Sequence, residues 1–192
     1  MHYILASASP RRKELLTNMG IVFDIVVSNC EETVTEKEPA KIVRELSRLK
    51  AFNVKEKLHF SEEALIIAAD TLVFLDDERL GKPKNEKDAV FMLLKLSGRS
   101  HKVITGVTLI HYADGKFEDV SFAEETEVWF SKLSHEEIAD YVKTGEPMDK
   151  AGAYAIQGLS AKFVERINGD YSNVVGLPVP KLYSVMKEKG WI

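Results

Sequence analysis

The chain has 192 residues, of which 45% are hydrophobic and 29% are charged, the composition of a folded globular protein with a substantial core. Its formal net charge of −4 excludes a general electrostatic attraction to nucleic acid or to an anionic membrane, so any anion-binding site must be local. The single cysteine excludes an intrachain disulfide, and without a secretory signal or an apolar run near ~18 residues we expect a cytoplasmic protein that does not enter a membrane.

An apolar strand followed directly by a helix start opens the chain. The apolar run at residues 3–6 predicts a strand. Ser9 is a favourable N-cap, and Pro10 suits the first helical position. Arg11 and Arg12 follow, where cations face the positive end of the helix dipole at a cost of up to about 1 kcal/mol each. A phosphate bound there would remove that cost; solvated arginines on a surface helix are the alternative.

A lysine lies on the apolar face of the next predicted helix. Residues 22–27 predict a second strand, which leads into an acidic loop that contains Glu32. Pro39 begins a long amphipathic helix whose apolar stripe includes Lys50. Because lysines normally lie on the solvent-exposed face of a helix, Lys50 is a candidate functional side chain. A lysine that extends from the edge of the stripe into solvent is the alternative.

Residues 64–75 form the strongest buried-strand pattern of the sequence. Asp70 interrupts this run, and a carboxylate in an interior strand must be paired, bind a metal or have a shifted pKa. A polar turn follows at 76–78, and a glycine and a proline constrain Lys82 beyond it. We expect this hairpin to bring Lys82 close to Asp70.

The rest of the chain mixes helices and strands. In chain order we expect a helix at 86–96, strands at 101–112 and 121–130, a helix from 134 to about 145, a strand at 163–167, a loop at 169–173 and a helix at 180–189. This mixture predicts an α/β fold with a mixed sheet. The 5 histidines lack metal-ligand spacing, so we expect surface or packing roles for them. Asp149 and Lys150 are interpreted as an ion pair, with a substrate contact of Lys150 as the alternative.

Several separated segments, in order from Leu5 almost to the C-terminus, resemble the Maf family of nucleoside triphosphate pyrophosphatases. They are Leu5-Ala6-Ser7-Ala8-Ser9-Pro10-Arg11-Arg12, Glu32, Lys50-Ala51, Ala69-Asp70-Thr71, Gly81-Lys82-Pro83, Thr105-Gly106-Val107, Asp149-Lys150-Ala151-Gly152 and Val175-Gly176-Leu177-Pro178. The family resembles inosine triphosphate pyrophosphatases in fold. The resemblance implies a single domain over residues 1–192, with a twisted mixed sheet flanked by helices and an elongated, two-lobed architecture around a central cleft.

The resemblance also implies an activity, the release of a nucleoside monophosphate and pyrophosphate with the help of a divalent cation, Mg²⁺ or Mn²⁺. By resemblance, Asp70 is the catalytic carboxylate, Glu32 and Asp70 bind the metal, and Ser7, Arg12, Lys50 and Lys82 bind the triphosphate. The residues alone leave open whether Asp70 is a general base, a metal ligand or both. A homodimer is a further expectation from the resemblance.

Three positions distinguish branches of this family, and they are occupied here by Arg11, Thr71 and Gln157. These residues are similar to those of the branch that acts on dTTP and UTP, whereas the 7-methyl-GTP branch differs at the first and third. The amide of Gln157 offers one donor and one acceptor, which would match O4 and N3–H of thymine and uracil. Modified pyrimidine nucleotides are further candidate substrates. A nucleotide-binding regulator of septum formation and cell division, without much turnover, is the alternative of a different class.

Overall fold

The computed structural model describes residues 1–192 and contains a mixed seven-stranded sheet with helices on its faces. The strands are β1 (His2–Leu5), β2 (Phe23–Ile25), β3 (Ala64–Leu75), β4 (Glu78–Leu80), β5 (Ser100–Ala113), β6 (Lys116–Phe130) and β7 (Val164–Asn168). Their order in the sheet is β2-β1-β3-β5-β6-β7, and β4 pairs with β3. Because β1 is parallel to β2 and β3 whereas β4 is antiparallel to β3, the prediction of a mixed α/β sheet is confirmed.

Five of the six helices begin close to the expected residues, and the other one lies where the sequence predicts a loop. The helices are α1 (Pro10–Asn18), α2 (Pro39–Lys57), α3 (Glu86–Leu96), α4 (His135–Lys143), α5 (Tyr171–Val175) and α6 (Val179–Glu188), with 3₁₀ turns at Glu146–Asp149, Ala151–Ala153 and Leu159–Phe163. Ser134 and Glu137 form a capping box at the start of α4, which agrees with the helix expected from residue 134. The chain divides into two compact units. The first unit contains Met1–Asp70, Thr105–Glu124 and Gly176–Ile192, and the second contains Thr71–Ile104 and Glu125–Val175.

The first unit has an apolar cluster on each face of β3, because successive side chains of a strand point to opposite faces. Leu65 and Ile67 pack with Leu16 of α1 in one cluster. Ile66 packs with Val54 of α2 in the other cluster. Helix α2 and helix α1 therefore cover opposite faces of this part of the sheet.

Helix α2 lies unusually close to the sheet at Gly106 of β5. A Cβ atom on Gly106 would stand 2.1 Å from the carbonyl oxygen of Val43, so only a glycine leaves room for the helix backbone. A buried chain of hydroxyl groups adds to this contact, since Ser47 Oγ lies 2.8 Å from Thr108 Oγ1, which lies 2.9 Å from Ser121 Oγ. The position of α2 relative to the sheet is thus fixed by steric fit and by hydrogen bonds.

The two ends of the chain meet in the first unit. The Tyr3 hydroxyl donates to the carbonyl oxygen of Trp191 at 2.9 Å. The Trp191 ring stacks on His111 of β5, with the ring centroids 5.0 Å apart. The last residues are therefore anchored to the first strand and to the middle of the sheet.

The second unit is built around one cluster that joins α3 and α4 to the sheet, with Leu93 and Ile138 both fully buried. His101 lies inside this cluster and is 2% exposed, and its Nε2 atom lies 2.8 Å from the Tyr154 hydroxyl. The Phe130 ring packs edge-on against His101, with the ring centroids 5.1 Å apart. Burial lowers the pKa of His101 to about 3, so this histidine packs as a neutral ring.

Three predicted elements differ from those observed. The second strand covers only Phe23–Ile25 rather than 22–27, because β1 offers it three paired residues and Val22 is 89% exposed. The expected loop at 169–173 contains the start of α5, because the Asp170 carboxylate accepts from the Ser172 N–H at 2.8 Å and caps the helix. Strand β6 also begins at Lys116, earlier than expected. The expectation of a single two-lobed domain with a cleft stays a prediction.

Candidate active site

Helix α1 begins as the sequence indicates, directly after β1. Ser9 is the N-cap, with its hydroxyl 3.5 Å from the Arg12 N–H, and Pro10 occupies the first turn. The N–H of Ser9 donates to the Ser7 hydroxyl at 3.2 Å. The link between strand and helix is therefore fixed by its own serines, and it presents the N-terminal end of the helix dipole.

Arg12 is held against this link by two hydrogen bonds. Its Nε donates to the carbonyl oxygen of Gly176 at 2.8 Å, and its Nη1 donates to the Ser7 hydroxyl at 3.3 Å. Burial lowers the pKa of Arg12, and the negative charge of Asp70 opposes that shift. An arginine normally titrates so far above neutrality that Arg12 remains a cation, here with a fixed orientation.

Lys50 lies between two carboxylates, a group of three side chains that we call the carboxylate–lysine cluster. Its Nζ donates to Oδ1 of Asp70 and forms an ion pair with Oε1 of Glu32 at 3.0 Å. The side chains of Lys50 and Asp70 are only 16% and 11% exposed, whereas Glu32 is 49% exposed. Lys50 therefore points into the protein from its apolar stripe rather than out into solvent, and the carboxylate within β3 is paired.

The donor set of this cluster fits a hard divalent cation only in part. Asp70 and Glu32 supply two carboxylates that already reach toward one cation, the Lys50 ammonium. No group of three or more His, Cys, Asp and Glu side chains is placed to hold a metal ion. Mg²⁺ is commonly bound by one or two carboxylates, with water and substrate phosphates as the other ligands, and these two residues fit that pattern.

The structure thus brings together in the first unit Ser7, Arg12, Glu32, Lys50 and Asp70. Arg11 lies half-buried beside Arg12 in the first turn of α1. The carbonyl group of Gly176 orients Arg12. The sequence shows Gly176 only as part of a motif, because a backbone acceptor leaves no side-chain pattern.

The other candidate residues lie in the second unit. Thr71 directly follows Asp70 on β3 and is half-buried. Lys82 is exposed and follows β4, which forms the expected hairpin with β3. The approach of Lys82 to Asp70 stays a prediction, since the two residues belong to different units.

Gln157 stands exposed at the tip of a tight turn, residues 155–160. We call it the specificity turn, after the role that the family resemblance implies for Gln157. The N–H of Gly158 donates to the carbonyl oxygen of Ala155 at 2.9 Å, which closes the turn. Before this turn, Lys150 forms an ion pair with Asp149, as expected. The carboxylate of Glu146 also contacts the turn, and no motif in the sequence had pointed to that residue.

The structure contains no helix that combines the length and the apolar character needed to span a membrane.

Comparison with known proteins gives relatives over almost the whole chain. A protein of Thermoanaerobacter sp. (strain X514) named dTTP/UTP pyrophosphatase is 52% identical over 189 residues, which are 98% of this chain and 97% of the relative. A protein of Carboxydothermus hydrogenoformans with the same name is 48% identical and is matched over 100% of both chains. Among solved structures, a HAM1 protein from Coxiella burnetii superposes with a TM-score of 0.54 at 17% identity, over 98% of this chain and 99% of that one, which shows a shared fold.

The family model described as "Maf-like protein" matches residues 2–189 of the chain. This match covers nearly the whole chain, including Ser7 and Arg12, the carboxylate–lysine cluster and the specificity turn. The resemblance inferred from separated motifs is therefore confirmed, and the chain belongs to the Maf family.

Proposed function

We propose that this protein hydrolyses dTTP and UTP to the nucleoside monophosphate and pyrophosphate, and that modified pyrimidine nucleotides are also accepted. The carboxylate–lysine cluster in the same compact unit as the Ser7–Arg12 pair is the observation that carries this proposal. The names of relatives with about half of their residues identical support the same substrate pair.

In this proposal the link between β1 and α1 binds phosphate oxygens. The Arg12 guanidinium, the Ser7 hydroxyl and the N–H groups of the first helical turn are donors with fixed positions. Lys50 and Lys82 add positive charge for the rest of the triphosphate. Binding the phosphates in place lowers the entropic cost of the reaction and neutralises charge in the transition state.

Asp70 is the proposed catalytic carboxylate. A water oxygen forms a bond to the α-phosphorus, the bond from that phosphorus to the bridging oxygen of the β-phosphate breaks, and pyrophosphate leaves with the electron pair. The proton of the water must pass to a base, and Asp70 either accepts it or orients the water. The Asp70 side chain is only 11% exposed and is paired with Lys50, so its carboxylate has a fixed position.

The proposed cofactor is Mg²⁺ or Mn²⁺, held by Asp70 and Glu32. When bound, the cation would lower the pKa of a water ligand and stabilise negative charge on phosphate oxygens. Lys50 would then give up at least part of its contact with the two carboxylates and pair with a phosphate group instead.

Base recognition is assigned to Gln157, with Thr71 and Arg11 as further specificity residues. The Gln157 side chain is exposed at the tip of its turn, so its amide is accessible to a ligand. An amide can donate to O4 and accept from N3–H of uracil or thymine, an edge that those two bases share.

A nucleotide panel tests the proposal. The pure protein is incubated with Mg²⁺ or Mn²⁺ and each of dTTP, UTP, CTP, GTP, ATP, 5-methyl-UTP and 7-methyl-GTP, and the products are separated by ion-exchange chromatography. We expect pyrophosphate and the monophosphate from dTTP and UTP. Release of orthophosphate, or preference for 7-methyl-GTP, would contradict the proposal.

The same panel addresses the regulatory alternative. A protein that binds UTP in a calorimeter but turns over none of the nucleotides would be a sensor rather than an enzyme. The proposed homodimer is tested separately by light scattering after gel filtration, which reads the mass of the particle against 21.6 kDa for one chain.

A further inference from the structure

We propose that Glu146 is a positioning residue for the specificity turn and that it thereby sets the affinity for the nucleotide base. This inference rests on the proposed function, since it adds a residue to the machinery of base recognition. Glu146 begins the 3₁₀ turn Glu146–Asp149, which follows α4, and it is 9 residues away from Ala155 in the sequence.

The specificity turn is closed internally by Ser160. The Ser160 hydroxyl accepts from the Ala155 N–H at 3.0 Å and donates to the Ala155 carbonyl oxygen at 2.9 Å. Ser160 is fully buried, so these hydrogen bonds do not compete directly with solvent. Both ends of the turn are joined through one side chain, and Gln157 projects from between them.

Glu146 fixes this closed turn to the body of the second unit. Both of its carboxylate oxygens lie within hydrogen-bond distance of the Leu159 N–H, at 3.0 and 3.1 Å. Its Oε1 also accepts from the Tyr141 hydroxyl at 2.9 Å. Burial raises the pKa of Tyr141 and the bond to Glu146 raises it further, so the hydroxyl stays protonated and remains a donor to the carboxylate.

The fit at Gly158 is a second, independent observation of the same contact. A Cβ atom on Gly158 would stand 2.1 Å from Oε1 of Glu146. The backbone of Gly158 has a φ of −98°, which any residue adopts, so an added methyl group would displace the Glu146 carboxylate rather than strain the backbone. The turn and the carboxylate are in direct contact, and a side chain at 158 would force them apart.

A loosened turn would harm base recognition more than phosphate binding. A recognition amide acts well only when its position is fixed within about 0.5 Å. By contrast, Ser7, Arg12 and Lys50 belong to the first unit and take their positions from contacts there. The effect of removing the Glu146 carboxylate should therefore depend on whether the ligand carries a base.

The test is steady-state hydrolysis of UTP by Glu146→Ala and Glu146→Gln, with inorganic tripolyphosphate as a competitive inhibitor that lacks a base. For Glu146→Ala we expect KM for UTP to rise about tenfold and kcat to change by less than about threefold, since two donors lose their acceptor. The inhibition constant of tripolyphosphate should stay unchanged. Glu146→Gln keeps one acceptor oxygen, so its KM for UTP should lie much closer to the wild-type value than that of Glu146→Ala.

Two further variants separate positioning from a general loss of stability. Gly158→Ala keeps the carboxylate but displaces it, so it should raise KM for UTP as Glu146→Ala does. Glu136→Ala removes the same charge from an exposed position in the first turn of α4 and should leave KM unchanged. An unchanged KM for UTP in Glu146→Ala, or an equal rise in the inhibition constant of tripolyphosphate, would overturn the proposal.

Hydrogen–deuterium exchange tests the contact without using the activity. The Leu159 amide should exchange at least about tenfold faster in Glu146→Ala and in Gly158→Ala than in the wild type, while amides of β3 keep their protection. A Leu159 amide that exchanges equally fast in all three proteins would overturn the positioning role. If wild-type protein hydrolyses neither UTP nor dTTP, the proposed function fails, whereas this exchange measurement still decides the role of Glu146.

Discussion

The carboxylate–lysine cluster of the first unit and the specificity turn of the second unit are held in place in opposite ways. Asp70 and Lys50 stand in the middle of β3 and α2, and their charges are largely buried. Gln157 stands on a turn without regular structure, and the turn is fixed by side chains of Glu146 and Ser160 that bond to its backbone.

This difference agrees with the roles that we propose for the two regions. Charges that stabilise a phosphoryl-transfer transition state act best when they are fixed and shielded from water, and regular elements provide both. A residue that selects a base must meet a ligand that enters from solvent, so it lies on an exposed turn. The amide of Gln157 can also be changed without disturbing a helix or a strand.

Asp70→Asn tests the catalytic role that we propose for the carboxylate–lysine cluster, and we expect the largest effect from it. The substitution keeps the shape of the side chain but removes the charge, so we expect turnover of UTP to fall by about 1,000-fold or more. Circular dichroism and the unfolding midpoint should stay close to those of the wild type. Asp140→Asn, on the exposed face of α4, is the matched control, and near-normal turnover by Asp70→Asn would remove Asp70 from the mechanism.

Gly106→Ala tests whether the position of α2 depends on its close approach to β5. The added methyl group would stand 2.1 Å from the Val43 carbonyl oxygen, so the helix must move, and we expect a loss of about 3 kcal/mol in the free energy of unfolding. Urea denaturation measures this loss of stability. At Gly81 nothing lies within 4 Å of an added Cβ, so Gly81→Ala should change stability by less than about 0.5 kcal/mol.

Lys50→Met removes the cation that separates Asp70 from Glu32 and that we expect to contact phosphate. We predict a fall of about 100-fold in kcat/KM for UTP, because charge stabilisation is lost and the two carboxylates repel each other. The exposed Lys57, in the last turn of α2, provides the control Lys57→Met. A fall below about threefold would show that the buried ammonium has only a structural role.

The smallest predicted effect concerns His101 and the pH dependence of the second unit. Its pKa in the folded protein, about 3, lies below its ordinary value of 6.5, so only the unfolded chain gains this proton as the pH falls below 6.5. The contribution of neutral His101 is complete above pH 6.5 and is lost progressively down to about pH 3. Between pH 7 and pH 5 this loss is about 2 kcal/mol.

Urea denaturation at the two pH values measures this linkage. His101→Gln cannot titrate, and its free energy of unfolding should therefore fall by about 2 kcal/mol less than that of the wild type. The exposed His59 provides the control His59→Gln, which should keep the wild-type slope. Equal slopes for all three proteins would show that His101 is protonated as readily in the folded state as in the unfolded chain.

The elements with strong apolar periodicity were predictable from the sequence, whereas short polar contacts were not. The twelve-residue strand β3 and the helix α2 follow directly from their patterns of buried residues. The start of α5 was missed because Asp170 caps it through a local hydrogen bond in a segment that is rich in turn residues. Local bonds of this kind compete with loop conformations, and composition alone does not decide between them.

The same distinction holds for the candidate site. Asp70 and Lys50 were recognisable because each is a charge in an apolar pattern, which requires a partner, and the structure pairs them with each other. Glu146 is a glutamate in a polar segment, where a sequence gives no reason to expect a contact with a distant turn. Its role depends on its contact with Gly158, 12 residues later in the chain. A periodic pattern of apolar residues cannot reveal such a contact.

The hydrogen bond from Tyr3 to the carbonyl oxygen of Trp191 holds the two termini of the chain side by side in the first unit. Fluorescent dyes attached to the two termini would lie close together in the folded protein and far apart after unfolding. Energy transfer between such dyes would report the integrity of the unit that holds Asp70.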